Sequence, residues 1–335
     1  GSLTIAANGT LSAPRGKVQV AGDFETAGSW IHNNGTLETN NSSEKDFNVD
    51  ASTALHNWIH DGTTLTIENA TDGHIVIENA LTINSSKNLK FQDGADLTFG
   101  TSTQAATVTN NGNFENRNAN NTVTLRGASS LYPFAYEGTD INWDQDASSG
   151  NVQNFILSNC NWNPDITTGE YVNIQLAGDC EFDAFTVSAN STLDLNGQRM
   201  ECSDKFTNSG TVDNTGNGVA FIYAGDFNLD GAYSNDDNLK LILQASQNED
   251  TDFNDSDLAS TAYRMINAGS HTVTQENNWT DNCGHLNVAS GTLALAYPIS
   301  SNDWTIATGG TVTAGSQTLT VAGDFTTSGG LIGKS

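Results

Sequence analysis

The sequence predicts an all-β chain folded as a right-handed parallel β-helix, or β-solenoid, with short turns and one loop or short-helix insertion near residues 243–270. Short runs of alternating residues, turn residues between the runs, and repeated copies of one pattern all point to this class. Residues 3–28, 185–210 and 304–329 align with one another without a gap. A strand of three to five residues is not stable alone, so the copies must stack on one another.

Each copy contains short strands joined by tight corners. Runs such as "LTI", "VQV" and "LTV" alternate apolar and polar residues, which indicates strands. The intervening "NGT", "GGT" and "AGD" are typical of turns. The phrase "AGDF" occurs at 21–24, 224–227 and 322–325. We interpret it as a corner in which Asp23 and Asp324 bond nearby backbone amides, while Phe24 and Phe325 return to the core.

The cysteines indicate the length of one coil. Cys160, Cys180 and Cys202 recur at nearly equal intervals, as expected for small inward residues on successive coils. With Cys283 they number four, too few for a disulfide scaffold in a chain of 335 residues. A coil of about 21 residues predicts about 16 coils and a rod of about 75 Å. We expect a single elongated solenoid over residues 1–335, cut from something longer.

The composition limits the partners. Hydrophobic residues make up 36% and charged residues 15%, so most of the polarity comes from uncharged side chains. The net charge of −27 disfavours binding to nucleic acid and to anionic membranes. The sequence contains no run of 18 apolar residues, so it predicts no membrane-spanning helix. An acidic surface also attracts divalent cations.

The predicted insertion interrupts the repeat with a polar, acidic run followed by "SDLASTAYRMI". Ser256 or Asp257 is a suitable N-cap for a helix of one or two turns. That helix would carry Leu258, Tyr263 and Met265.

An acidic corner at 226–237 is the strongest candidate for a metal site. It reads D-x-N-x-D-G-x5-D, a calcium-loop pattern with Asp in place of the last Glu. It resembles the calcium loop of dockerin modules, where the last residue is commonly Asp. The repeat explains Asp226 without a metal, and it favours a solvated acidic turn. It does not explain the remaining acidic and amide residues, so Ca²⁺ binding stays open for Asp226, Asn228, Asp230, Asp236 and Asp237.

Two histidines form a weaker metal candidate. His56 and His60 are four residues apart in "LHNWIHDG". On a strand they would share a face about 13 Å apart, too far for one ion. On a helical turn the same spacing would allow chelation.

A carbohydrate-cleaving site is the enzymatic alternative. Acidic residues cluster around Trp143, and glycoside cleavage needs two carboxylates with an aromatic platform nearby. The acidic residues are Glu137, Asp140, Asp144 and Asp146. In a chain with 39 acidic residues such a cluster also arises by chance, and we expect no catalysis.

The six tryptophans are the remaining candidates for sugar binding. Trp30 and Trp304 align with apolar residues of other copies, and Trp162 shares a face with Cys160, so these three are expected in the core. Trp58, Trp143 and Trp279 stay candidates for ligand platforms.

Strings such as "LTVAGDFTTSGG" and "LTIAANGTLSAP" resemble the repeats of long secreted β-solenoid proteins. Those proteins include fibre and spike proteins of marine bacteriophages and large bacterial surface adhesins. The resemblance covers about half of the chain, at 3–39, 174–233 and 286–332. It implies an extracellular or virion-borne rod that spaces or presents binding surfaces, and it carries no functional residue across.

The sequence therefore favours a non-enzymatic structural or adhesive module of a phage appendage or cell surface. A capsule-depolymerase-like spike and a calcium-dependent carbohydrate-binding module are the alternatives. A polysaccharide or another cell-surface ligand is the kind of partner such a module would take. Exposed strand edges at the ends of a solenoid also predict end-to-end or trimeric self-association.

Overall fold

The computed structural model describes residues 1–49, 52–69, 74–92, 95–116, 122–143, 147–216, 218–253 and 262–333. It is 63% strand and 1% helix, with parallel coils stacked in about 14 turns. The predicted parallel β-solenoid is confirmed. Among the described residues, no helix has the length and apolar character needed to cross a membrane.

The chain divides into two compact units, Gly1–Cys180 and Glu181–Ser335. The first unit contains β1 Leu3–Ile5, β2 Thr10–Ser12, β3 Lys17–Val20, β4 Phe24–Thr26, β5 Ser29–Ile31, β6 Thr36–Thr39, β7 Lys45–Val49, β8 Thr53–His60, β9 Thr64–Asn69, β10 Ile75–Ile83, β11 Asn88–Gln92, β12 Asp96–Phe99, β13 Thr107–Asn110, β14 Asn113–Asn116, β15 Thr122–Gly127, β16 Phe134–Gly138, β17 Gln153–Ser158, β18 Cys160–Trp162, β19 Ile166–Thr167 and β20 Val172–Leu176. Strand β21, Cys180–Phe182, includes the unit boundary.

The second unit contains one turn of 3₁₀ helix at Asp236–Asn238. Its strands are β22 Phe185–Val187, β23 Thr192–Asp194, β24 Arg199–Asn208, β25 Thr211–Asp213, β26 Ala220–Leu229, β27 Ala232–Ser234, β28 Leu239–Leu243, β29 Glu249–Thr251, β30 Tyr263–Gln275, β31 Trp279–Ala294, β32 Ile299–Gly315, β33 Leu319–Val321, β34 Phe325–Thr327 and β35 Gly330–Gly333.

Apolar side chains of the first unit stack from coil to coil. In the parallel sheet β1-β4-β7-β9-β11-β14, Leu3 pairs with Phe24, and Phe24 pairs with Phe47. The rings of Phe24 and Phe47 are parallel at 4.6 Å, and Phe47 stacks on Trp58 at 4.6 Å. Alternation along each strand points every second residue inward, and the inward residues of successive coils stack to form the core.

The second unit repeats the arrangement with an even spacing. Phe185 pairs with Phe206, and Phe206 pairs with Phe227, so the two steps along the chain are equal. The ring centroids lie 6.4 and 6.2 Å apart, and all three side chains are fully buried. Each aligned copy therefore spans one coil, because its first apolar residue pairs with its own phenylalanine, as Leu3 does with Phe24 and Trp304 with Phe325.

Aspartates at and next to the "AGDF" corners form hydrogen bonds, some of them to the neighbouring coil. Asp23 Oδ1 accepts the backbone N–H of Asp46, one coil further on, at 3.3 Å. At the last copy the acceptor is Asp303, one coil before the corner, whose Oδ1 accepts the backbone N–H of Asp324 at 2.8 Å; the bond expected for the Asp324 side chain stays a prediction. In the middle copy, Asp226 Oδ1 accepts the N–H of Phe227 at 2.7 Å. The corner is thus a point where one coil is bonded to the next, in addition to a local turn.

A glycine four residues after the phenylalanine completes this corner. A Cβ atom at Gly28 would lie 2.3 Å from the carbonyl oxygen of Ala6 and 2.5 Å from that of Gly9. The equivalent Gly210 and Gly329 face backbone oxygens at 2.3 and 2.2 Å. Backbone cannot move aside as a flexible side chain does, so only glycine fits where the two coils approach.

The prediction that both corner phenylalanines are buried is half right. Phe24 is fully buried, but Phe325 is 41% exposed. Phe325 stands above Trp304 of β32. Among the described residues, β33, β34 and β35 pair only with β32, so no further coil covers Phe325.

Coil length varies more than the sequence predicts, which explains about 14 turns where about 16 were expected. Thr107 pairs with Ala135, and Arg126 pairs with Ser158, so both of these coils are longer than the predicted length. Among the described residues, the stretches at 128–133 and 147–152 add length between strands in these coils. The inward position of Cys160, Cys180 and Cys202 is confirmed, since all three are buried.

The helix predicted in the insertion is wrong where the structure describes it. Tyr263 and Met265 lie on β30, paired with Lys240 and Ile242 of β28. On the other side they pair with β31. Two neighbouring coils offer ladder hydrogen bonds here, and these outweigh a short helical turn. Ser256, Asp257 and Leu258 lie outside the described residues.

Candidate functional site

Three side chains that are suited to binding a metal ion meet on the outer face of the first unit. They are His32, directly after β5, His56 on β8 and Glu78 on β10. Glu78 Oε2 lies 3.2 Å from His32 Nε2 and 3.6 Å from His56 Nδ1. The two imidazole rings are parallel, with centroids 5.6 Å apart. One ligand atom from each side chain lies within 4.8 Å of the other two.

The coil register brings these residues together. Leu55 pairs with Ile77, but the next pair is Asn57 with Ala80, so β10 carries one more residue than β8 at this corner. That bulge places both Glu78 and Asn79 beside the residues that turn the corner of β8. Bulges often re-aim a side chain in this way.

The expectation that His56 and His60 share a face on a strand is wrong. Two consecutive residues, His56 and Asn57, point outward at the corner of β8, which reverses the alternation. His60 is therefore fully buried, and its Nδ1 lies 3.0 Å from Thr39 Oγ1. Burial lowers the pKa of His60 to about 4, because the charged imidazolium is poorly solvated there.

Sequence reasoning considered His56 but missed His32 and Glu78. The three residues come from three successive coils and are separated by roughly one coil length each. A search for metal ligands at one coil length on either side of His56 would have found them. The corner bulge, which fixes the final position of Glu78, has no signal in the sequence.

In the proposed sugar-cleaving cluster, two buried tryptophans and a backbone N–H donate hydrogen bonds to Asp140. Asp140 Oδ2 accepts a hydrogen bond from Trp143 Nε1 at 2.8 Å. Its Oδ1 accepts bonds from Ile141 N at 2.8 Å and from Trp162 Nε1 at 3.2 Å. Both oxygens are thus engaged by N–H donors, and one of these donors belongs to the next coil.

Burial raises the pKa of Asp140 to about 7, although the N–H donors favour the ionised form. Burial, together with the charge of Asp140, raises the pKa of Tyr136 well above its ordinary value. Glu137 is exposed on β16. Asp144 and Asp146 lie outside the described residues, so a carboxylate pair at this place stays a prediction.

The tryptophans proposed as ligand platforms belong to the core. Trp58 and Trp279 are fully buried, and Trp143 is 2% exposed. The expected burial of Trp162 and Trp304 is confirmed. Trp30 is partly exposed and packs edge-on against Phe24 at 5.7 Å. A fully buried indole has no free face on which a sugar could stack.

The acidic corner is spread over two elements. Asp226 and Asn228 lie on β26, and Asp230 is exposed just beyond its end. Asp236 and Asp237 lie in the 3₁₀ turn, with Asp236 buried. Within the part of the chain that the structure describes, His32, His56 and Glu78 are the only three His, Cys, Asp or Glu side chains grouped closely enough to hold one ion.

The extended strand explains why these carboxylates do not converge. At about 3.3 Å per residue, Asp226 and Asp230 are separated by about 13 Å, whereas a calcium loop curls around its ion. Asp226 is also paired with Lys205 Nζ at 2.9 Å. Calcium binding at this corner stays a prediction.

Comparison with known proteins gives no relative. No protein-family model, no curated protein and no solved structure matches the chain. Function must therefore be argued from the geometry of the fold and its surface.

Proposed function

We propose that the chain is a non-enzymatic structural or adhesive module of an extracellular surface or a virion. Its coils would space or present binding surfaces for a polysaccharide or another cell-surface ligand. A phage fibre or spike and a bacterial adhesin are the two settings that the sequence resemblance suggests.

The observation that supports the proposal is the way successive coils are tied together. Below the surface, stacked aromatic rings form a filled core, as at Phe24, Phe47 and Trp58. On the surface, amide side chains continue the ladder. Asn79 Nδ2 donates to Asn57 Oδ1 at 2.7 Å, and Gln104 Nε2 donates to Asn79 Oδ1 at 2.7 Å. Coils that are held together both by core packing and by surface hydrogen bonds are suited to a stiff scaffold.

The site chemistry supports the non-enzymatic part. Asp140 accepts hydrogen bonds from the side chains of Trp143 and Trp162, and both of these tryptophans are buried. A general acid must reach the proton that it transfers. Asp140 accepts N–H bonds at both oxygens, which favours a structural role for this carboxylate over proton transfer.

Incubation with alginate and dextran, as acidic and neutral probe polysaccharides, tests the proposal. We expect no new reducing ends and no unsaturated products from the wild-type protein. Turnover that Asp140→Asn abolishes and Glu137→Gln retains would overturn it, because Glu137 is the exposed neighbour on β16. Circular dichroism of both variants checks that the fold is kept.

Self-association is part of the same proposal. The open edge of the last described coil exposes Phe325 and Leu331, at 41% and 48%. Sedimentation velocity at low and high protein concentration should show a concentration-dependent increase in mass.

A further inference from the structure

We propose that His32, His56 and Glu78 form a binding site for a transition-metal ion, with Zn²⁺ as the ion that fits best. Two imidazole nitrogens and one carboxylate oxygen are a common zinc donor set. The site lies at a corner of the first unit and is independent of the structural role proposed above. No carboxylate of the acidic corner takes part in it.

The distances suit a tetrahedral ion. Zinc bonds of about 2.0–2.2 Å at a tetrahedral angle separate neighbouring ligand atoms by about 3.3 Å. The separations of Glu78 Oε2 from His32 Nε2 and His56 Nδ1 are 3.2 and 3.6 Å. The two imidazole rings are parallel at 5.6 Å, so at least one ring must turn before both nitrogens point at one ion.

His56 supplies an independent indication of a ligand. Its Nδ1 is buried but has no hydrogen-bond partner. A buried polar atom without a partner costs free energy, and native structures contain few of them. An ion bound between His56 and Glu78 would satisfy this nitrogen.

The surroundings allow entry and favour a cation. The side chains of His32, His56 and Glu78 are 18%, 21% and 27% exposed, so the site is shielded but open to solvent. Three protein ligands leave one position for water or a surface ligand. The net charge of −27 attracts cations toward the chain.

Binding requires a change at His32, and this gives the proposal a distinctive signature. The backbone N–H of Asn34 donates to His32 Nδ1 at 3.0 Å, so the neutral ring carries its proton on Nε2. An ion at Nε2 shifts that proton to Nδ1 and ends the hydrogen bond from Asn34. Asn33 and Asn34 form a left-handed turn, with φ of 49° and 60°, that must adjust.

Isothermal titration of the full chain with zinc chloride tests the site. We expect one tight site in the wild type and a loss of affinity of more than tenfold in His56→Ala and in Glu78→Gln. The threshold is tenfold because even changes to groups that only support a metal ligand cost roughly 10–100-fold in affinity. His74→Ala is the matched control, because His74 lies on the same unit and bonds to Thr98 instead.

A second measurement separates this site from binding to surface carboxylates. Zinc should move the ring ¹⁵N resonances of His32 and the backbone amide resonance of Asn34, while the resonances of His74 stay in place. The absence of zinc binding to the wild type would overturn the proposal. Affinity kept in both His56→Ala and Glu78→Gln, or an unchanged Asn34 amide at saturation, would also overturn it.

Discussion

Replacement of Asp140 by Asn should change how the stability of the protein depends on pH. Burial raises the pKa of Asp140 to about 7 from an ordinary value of 3.8. Between these values the unfolded chain releases the proton and the folded chain keeps it. The contribution of Asp140 is therefore fully present below about pH 4 and is lost as the pH rises through about 7.

The magnitude follows from the size of the shift. About three pKa units at about 1.4 kcal/mol per unit give about 4 kcal/mol. The free energy of unfolding of the wild type, relative to Asp140→Asn, should fall by about this amount between pH 4 and pH 8. Asn is the suitable replacement because it stays neutral and keeps an oxygen for an indole N–H.

The comparison must use the difference between the two proteins. His60 acts in the opposite direction, because burial lowers its pKa to about 4. Its contribution is present above about pH 6.5 and is lost as the pH falls through about 4. The two groups therefore compensate each other in the wild-type profile. Subtracting the Asp140→Asn profile removes His60 and isolates Asp140.

Chemical denaturation at several pH values provides the stability difference, and the ¹³Cγ resonance of Asp140 provides the pKa directly. The variant identifies that resonance by its disappearance. A midpoint near 7 confirms the reasoning. A midpoint below 4, with a stability difference that does not vary between pH 5 and pH 8, would show that the N–H donors outweigh burial.

Two further changes test the corners. Gly28→Ala should destabilise the first unit by about 1–3 kcal/mol, because its Cβ would lie 2.3 Å from the carbonyl oxygen of Ala6. Gly16→Ala should be nearly neutral in the same denaturation assay, because no atom lies within 4 Å of its Cβ. Equal losses in both variants would contradict the steric argument. If the acidic corner binds calcium, millimolar calcium should raise the melting temperature, and Asp230→Ala should remove most of the rise; melting that does not respond to calcium or chelator would identify a solvated turn.

The fold could be predicted because its information is local and repeated. Alternating runs and turn residues define each strand, and the gapless copies show that one pattern recurs along the chain. Phe185 opens one copy and Phe206 lies near its end, one coil further on, and the two residues pair directly in the structure. Coil lengths could not be predicted where the repeat weakens, because corners accept extra residues without disturbing the core.

The candidate metal site could not be predicted for the same reason. His32, His56 and Glu78 come from three coils, and a bulge in β10 determines which residue faces His56. The role of Asp140 was hidden as well, since Trp162 reaches it from the next coil. Residues four apart on one strand, such as His56 and His60, were easy to notice but point to opposite sides.

The even spacing of Phe185, Phe206 and Phe227 has a consequence for how the second unit folds. Each strand meets neighbours with nearly the same apolar face, so a slip by one whole coil would still place phenylalanine on phenylalanine. Burial alone therefore distinguishes poorly between correct and shifted pairings. The ion pair between Lys205 and Asp226, together with the register shift between Cys202 and Lys205, occurs in the correct pairing. A pairing shifted by one coil would lose both of these features, so they favour the native alignment of these strands.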